Sequence, residues 1–284
     1  MKYLTLIWLL FLSNTLLAET SIWKVSQGDR LLYLGGTIHI LSPSDLPFPQ
    51  AFDQAYREAE VVVLETEMEK LFQPQTQVKL MSGLSYQDGR LLNELISAEL
   101  YADLNQYLKE RGLMPHLFIG MKPAGVMITM LGIEFRRLGI SADGADSVYY
   151  KRAMKDGKAV IGLETIDEHL GFLVDMGTGN EERFLRQTLD DVKKTEGMMR
   201  EMVRHWKSGN TLELEKDVLD EMREDYPNVY QSLLVERNQR WFPAIESMLR
   251  TEEVELILVG AAHLIGPDGI LKRLQESGYS VEQM

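Results

Sequence analysis

Only five histidines occur in this chain, and two of them close the same local pattern. Leu31-Leu32-Tyr33-Leu34-Gly35 leads into Gly36-Thr37-Ile38-His39. Val254-Glu255-Leu256-Ile257-Leu258-Val259 leads into Gly260-Ala261-Ala262-His263. Each reads as a buried strand followed by Gly-x-x-His. The carboxyl end of a strand is where open α/β sheets present side chains to ligands. A second pair echoes the first: Val61-Val62-Val63-Leu64 runs into Glu65-Thr66, and Ala159-Val160-Ile161-Gly162-Leu163 runs into Glu164-Thr165. If the sheet is largely parallel, all four side chains converge at one edge. Two imidazoles with one or two carboxylates suit Zn, Mn, Co or Fe(II). An open coordination position would lower the pKa of bound water and make it a nucleophile near neutral pH. A carboxylate left free of the metal would be a general base.

Each residue also has a structural explanation. A strand-end His can simply satisfy a hydrogen bond, and Glu65 or Glu164 can serve backbone donors at a helix N-terminus. That explanation is stronger for Glu164, where a helix begins at once. His116, His169 and His205 fall in helical or loop contexts and read as structural. Arg237-Asn238 lies in a long helix; it suits a surface role, or an Arg clamp on a carboxylate or oxyanion. Other chemistries lack their residues. There is no Cys, so thiolate nucleophiles and ligands are out, and any metal must take nitrogen and oxygen. There is no Gly-x-Ser-x-Gly elbow, no His-Glu-x-x-His helix and no Gly-Lys-Ser/Thr phosphate loop.

The elements that would position these residues follow from the hydrophobic periods. Ile22 to Val25 and Leu31 to Leu34 flank Gly28-Asp29 as a hairpin. A loop with Pro43, Pro47 and Pro49 follows His39, then a helix over Gln50 to Ala59. Leu92, Leu95, Ile96, Leu100, Leu104 and Leu108 predict one helix from Leu91 to Arg111, stopped by Gly112. The Met-rich run Met114 to Leu138 predicts a buried helix pair. Asp143-Gly144-Ala145-Asp146 is a turn and helix start. Glu181 to Ser208 is a long charged helix with an apolar stripe, Thr211 caps the next, and Val229 to Arg250 is a third, interrupted at Pro243. A helix over Gly269 to Glu276 and a strand over Tyr279 to Val281 close the chain. Strands near both ends with helices between predict an α/β fold, a mixed central sheet with a helical middle region.

The chain starts with Lys2, then the apolar Leu4 to Leu12, then Leu16-Leu17-Ala18 before Glu19. This pattern predicts a signal peptide over residues 1–18, cleaved after Ala18, and a mature domain over 19–284. The apolar run is short for a bilayer span, so no stable membrane segment is expected after cleavage. Localisation is then periplasmic or extracellular. The net charge of −13 disfavours nucleic acid as a partner, since nothing basic clusters to neutralise phosphates.

Taken together, Leu34-Gly35-Gly36-Thr37-Ile38-His39, Val63-Leu64-Glu65-Thr66, Gly162-Leu163-Glu164-Thr165, Glu236-Arg237-Asn238 and Val259-Gly260-Ala261-Ala262-His263-Leu264 resemble the TraB/PrgY/GumN family, which includes the TIKI Wnt-inactivating proteases. The tail from Gly266-Pro267-Asp268 to Val281 fits as well. The resemblance implies a fold like the erythromycin-esterase and ChaN-like group. It implies a divalent-metal site at His39 and His263, with Glu65 at the family's acidic position and Arg237 and Asn238 lining the site. Glu164 matches a motif and joins the expected ligands. His169 departs from the Gln that relatives carry. The expected activity is a metal-dependent hydrolase using Mn, Co or Zn, most of all a peptidase acting on peptide or protein substrates. The alternative is a non-catalytic binder of a metal, haem or small ligand.

Overall fold

The structure is a computed structural model that describes residues 20–141 and 143–284. The expected signal peptide, with its cleavage point after Ala18, lies outside the described residues. Six strands form one sheet: β1 (Ile22–Gln27), β2 (Arg30–Thr37), β3 (Val61–Thr66), β4 (Ala159–Glu164), β5 (Glu255–Gly260) and β6 (Ser280–Gln283). Their order is β4-β3-β5-β2-β1-β6. β4, β3, β5 and β2 run parallel, while β1 is antiparallel to both β2 and β6. The carboxyl ends of all four parallel strands therefore meet along one edge. The expected α/β architecture with a mixed sheet and a helical middle is the observed one.

Sequence accounts for much of this. Gly28, with φ of 63°, makes the tight turn that pairs β1 with β2. Leu256, Ile257, Leu258 and Val259 are fully buried, as a continuous apolar run in a strand covered on both faces should be. β5 slots between β2 and β3 although it lies roughly two hundred residues away in the chain.

Two apolar clusters result. The first surrounds the sheet and includes Trp206, Trp241, Tyr33, Phe52 and Tyr149. The second is helical. It joins Leu100, Leu104 and Leu108 of the helix Ala98–Glu110, Val126 and Met130 of Pro123–Arg137, and Leu185, Leu189 and Val192 of Glu181–Lys207. Leu233 packs against both.

Helix boundaries differ from the periodic reading in instructive ways. The expected helix from Leu91 to Arg111 is two, Leu92–Leu95 and Ala98–Glu110, because the Ser97 side chain accepts from Leu100 N and caps a new start. The expected Met-rich pair is a short 3₁₀ turn, Pro115–Phe118, and the helix Pro123–Arg137. Asn210, not Thr211, supplies the cap for Thr211–Glu215. The last long helix is not interrupted at Pro243, which sits inside Glu236–Met248. Its ring removes the donor to Gln239, and both residues are exposed, so water can serve that carbonyl. The irregularity falls earlier, in a π-helical turn over Gln231–Val235 that runs directly into Glu236-Arg237-Asn238. Period counting cannot see a π turn, since it inserts one residue without changing composition.

Candidate functional site

Glu65 stands near the end of β3 and Glu164 at the end of β4, with Thr66 and Glu164 in register. His39 follows β2 by two residues. His263 lies in the short helical turn Ala261–Leu264 directly after β5. Thr37 pairs with Gly260, so the two Gly-x-x-His motifs start one residue apart in register on neighbouring strands. Gly36 allows the close approach there: a Cβ would stand 3.1 Å from Ala261, so the His263 turn would have to give by a few tenths of an ångström. Gly144 plays the same part for His39, because a Cβ would overlap the His39 backbone. The helix Glu236–Met248 then lays Arg237 and Asn238 across the edge.

The four strand-end residues do converge. His39 Nε2 is 3.6 Å from Glu65 Oε1, and His263 Nε2 is 3.9 Å from the same oxygen. Glu65 Oε1 also accepts from the Gly260 amide at 2.6 Å, and Oε2 accepts from Arg237 Nη2 at 2.6 Å. Arg237 is shared. Its Nη2 also donates to Glu164 Oε1 at 2.8 Å, its Nε to Glu164 Oε2 at 3.1 Å, and its Nη1 points at His263 Nε2 at 3.1 Å. The guanidinium packs on the Trp241 ring, 4.4 Å from its centroid. Glu164 is further engaged by Trp241 Nε1 at 3.1 Å and by His169 Nδ1 at 2.8 Å.

Both motif imidazoles are held from behind. His39 Nδ1 lies 3.0 Å from Asp146 Oδ2, and His263 Nδ1 lies 2.8 Å from Asn238 Oδ1. Asn238 donates through Nδ2 to the carbonyls of His263 and Asp268, so its Oδ1 must accept from His263 Nδ1–H. That fixes the tautomer: His263 Nε2 carries the lone pair. Glu65, Glu164, Arg237, Asn238 and His263 are all buried, whereas 54 % of the His39 side chain is exposed. His39 is the open side of the cluster.

Electrostatics separates the two rings. Burial drives the His263 pKa down to about 3, with the Arg237 charge adding to the effect against the pull of Glu65, so this ring is neutral. For His39 burial also lowers the pKa, but Glu65 and then Asp146 together outweigh it and raise the pKa to about 9. Burial alone would raise the Glu65 carboxyl. Arg237, followed by the imidazoles, outweighs it and holds Glu65 well below the usual carboxylate range.

These donors suit a cation in kind: two ring nitrogens and one anionic oxygen. A Cβ at Gly260 would lie 3.2 Å from Glu65 Oε1, 3.4 Å from His39 Nε2 and 3.6 Å from His263, so the glycine leaves space at the point where the three groups face each other. The two carboxylates outnumber the single guanidinium. Among the described residues, however, no group of three such side chains is already drawn into a ligand shell.

The sequence profile of the TraB/PrgY/gumN family matches residues 21–283. The chain belongs to that family. It is also similar to a protein described as "Uncharacterized protein YbaP" from Escherichia coli (strain K12), 22% identical over 252 residues that cover 87% of this chain and 89% of that protein. The protein of the same description from Shigella flexneri matches to the same extent. No solved structure matches the chain.

Asp146 and His169 were not among the expected site residues, yet both touch it. Asp146 reads in sequence as an ordinary acid in the first turn of Ala145–Asp156; it reaches the ring because Ala145 N donates to the Ile38 carbonyl and Gly144 lies against the His39 backbone. His169 follows Glu164 by five residues in Ile166–Asp175, and its spacing carried no metal-ligand or catalytic signature. The helix-cap role considered for Glu164 falls instead to Thr165 and Glu168, which form a reciprocal capping box.

Proposed function

We propose that this chain is an exported, divalent-metal-dependent hydrolase acting on peptides or proteins. One observation carries the reading: His39 Nε2 and His263 Nε2 face the same oxygen, Glu65 Oε1, and each ring is buttressed at Nδ1 by a second residue. Metal-ligating imidazoles are held in this way. His39, His263 and Glu65 would hold the ion. Mn, Co or Zn in that position would act as a Lewis acid on a scissile carbonyl and lower the pKa of water.

The chain's own residues supply the rest. Glu65 stays anionic through the working pH range, which suits it to holding positive charge more than to taking a proton. Asn238 spends its amide on orienting His263, and Asp146 orients His39. Glu164, with both oxygens engaged, acts through Arg237. Arg237 Nη1 faces the site and would stabilise negative charge developing on a substrate oxygen. His39, on the exposed side, marks where substrate enters. The N-terminal segment over residues 1–18 supports export to the periplasm or beyond.

Cleavage of a peptide library with and without Mn, Co or Zn, using His39→Ala as control, tests the proposal. Metal-dependent turnover lost in the variant is the expected result. A second reading is a non-catalytic binder of metal, haem or a small ligand; its small-ligand form is favoured by one contact, since Arg237 Nη1 already occupies the lone pair of His263 Nε2. No turnover under any metal would support it, and a Soret band in the purified protein would specify haem.

A further inference from the structure

A cleft of about 690 Å³ opens between the two apolar clusters and shares no lining residue with the strand-end cluster. Met199, Met202, Met222 and Leu233 bound it from the sheet side, and Met127 and Met176 bound it from the helical side. Its size falls within the range of small-molecule sites, and such sites favour seams between packed units. Methionine is flexible and polarizable, and it moulds to apolar ligands of varied shape. Gly197 also lines the cleft, from within the long helix Glu181–Lys207. A Cβ there would meet nothing within 4 Å, so packing does not require a glycine at this position.

The rim is not neutral. Asp191, Glu201, Asp217 and Glu221 line the cleft, against Lys216 as the one basic residue among its described lining. Asp217 is bound to His205, Glu201 to Arg204, and Asp191 to Tyr226. Glu221 makes no hydrogen bond or salt bridge among the described residues, and burial together with Asp191 pushes its carboxyl pKa up against the pull of the Lys194 charge. A carboxylate beside apolar walls that makes no salt bridge, in a lining with four acids and one base, favours a ligand that brings a positive charge.

We infer that this cleft binds an amphiphile with an apolar body and a positively charged head, the body on the methionines and the head at Glu221. An anionic amphiphile of the same length would face net repulsion at the rim. The site is distinct from the His39–His263 cluster, and nothing in the inference depends on metal or on hydrolysis.

Fluorescence of an uncharged phenylnaphthylamine dye, and its displacement by dodecyltrimethylammonium or dodecanoate below their micelle concentrations, tests this on the full mature chain. The dye should bind saturably. The ammonium compound should displace it about tenfold more effectively than the carboxylate, as expected for one charge contact at the rim. Gly197→Leu should narrow the cleft and weaken saturable dye binding with unchanged circular dichroism. Glu221→Lys, at a partly buried position, should keep dye binding and reverse the ranking of the two amphiphiles. Absence of saturable binding, full binding in folded Gly197→Leu, or dodecanoate equal to or better than the ammonium compound would each overturn the inference.

Discussion

Arg237 Nη1 lies 3.1 Å from His263 Nε2, on the one lone pair that the His263 tautomer leaves available. The same guanidinium spans Glu65 and Glu164. It is therefore both the charge balance of the site and a competitor for its most buried nitrogen. Binding of a cation would draw His263 Nε2 away from Arg237, while the two carboxylates would keep the guanidinium in place. A cluster built this way is stable when empty and can still receive an ion.

The first prediction concerns that balance. Arg237→Met leaves Glu65 and Glu164 buried without their cation, which costs about 3–5 kcal/mol by analogy with broken buried pairs. The deficit should shrink as pH falls, because without Arg237 the carboxylates take up protons more readily and shed the unpaired charge. Urea unfolding of both proteins at about pH 7 and about pH 4.5 measures it. A deficit that stays constant with pH would show that Arg237 stabilises through packing on Trp241 alone.

The second prediction concerns the two imidazoles. His39→Ala and His263→Ala should each abolish metal-dependent hydrolysis. The protonated His39 ring is held between Glu65 and Asp146, so its loss should lower stability at about pH 7 by an amount that fades above about pH 9, while leaving a folded protein. His263 is buried and bonded to Asn238, so its loss should cost about 1–3 kcal/mol while leaving a folded protein. Activity assays with Mn, Co or Zn and thermal melts separate the two effects. Wild-type turnover in either variant contradicts the mechanism.

The third prediction reaches residues behind and beside the rings. Asp146→Asn keeps shape but weakens the hold on His39 Nδ1, and should lower metal affinity or activity about 10- to 100-fold. Gly260→Ala should lower it too, since the new methyl would crowd Glu65 Oε1, His39 Nε2 and His263 together. Cobalt titration followed by its visible spectrum reads both. An unchanged affinity in Gly260→Ala would mean that a cation does not sit among these three groups.

The sequence carries the site's chemistry better than its supports. The paired Gly-x-x-His motifs and the Leu-Glu-Thr echo are contiguous, so they locate His39, His263, Glu65 and Glu164 on strand ends, and the parallel order β4-β3-β5-β2 gathers them. What held each ring was not legible. Asp146 meets His39 across a sequence separation of 107 residues that includes β3 and several helices, and its own neighbourhood looks like any helix start. The π turn over Gln231–Val235 likewise sets how Arg237 and Asn238 face the sheet, and no composition marks it. The methionines between Met114 and Leu138 read as plain core, yet Met127 lines an open cleft between two clusters, joined there by Met176, Met199, Met202 and Met222 from later in the chain.

The last prediction is the pH profile of stability. The His39 pKa is raised to about 9, so its contribution is fully present below its unfolded value near 6.5 and is lost as pH rises through about 9. The His263 pKa is lowered to about 3. The unfolded chain then binds a proton that the folded one refuses, and stability falls as pH drops from about 6.5 towards about 3. Glu65 adds to the acid limb, because its depressed carboxyl gives up its contribution as pH falls through its folded value. The two imidazoles thus pull in opposite directions, and metal-free stability should peak in the region of pH 6–7. His39→Gln should flatten the alkaline limb and leave the acid limb, whereas His263→Gln should soften the acid limb and leave the alkaline one. Chemical denaturation across pH with chelator present checks both. If His39→Gln changes the acid limb alone, the charge assignment of the two rings is reversed.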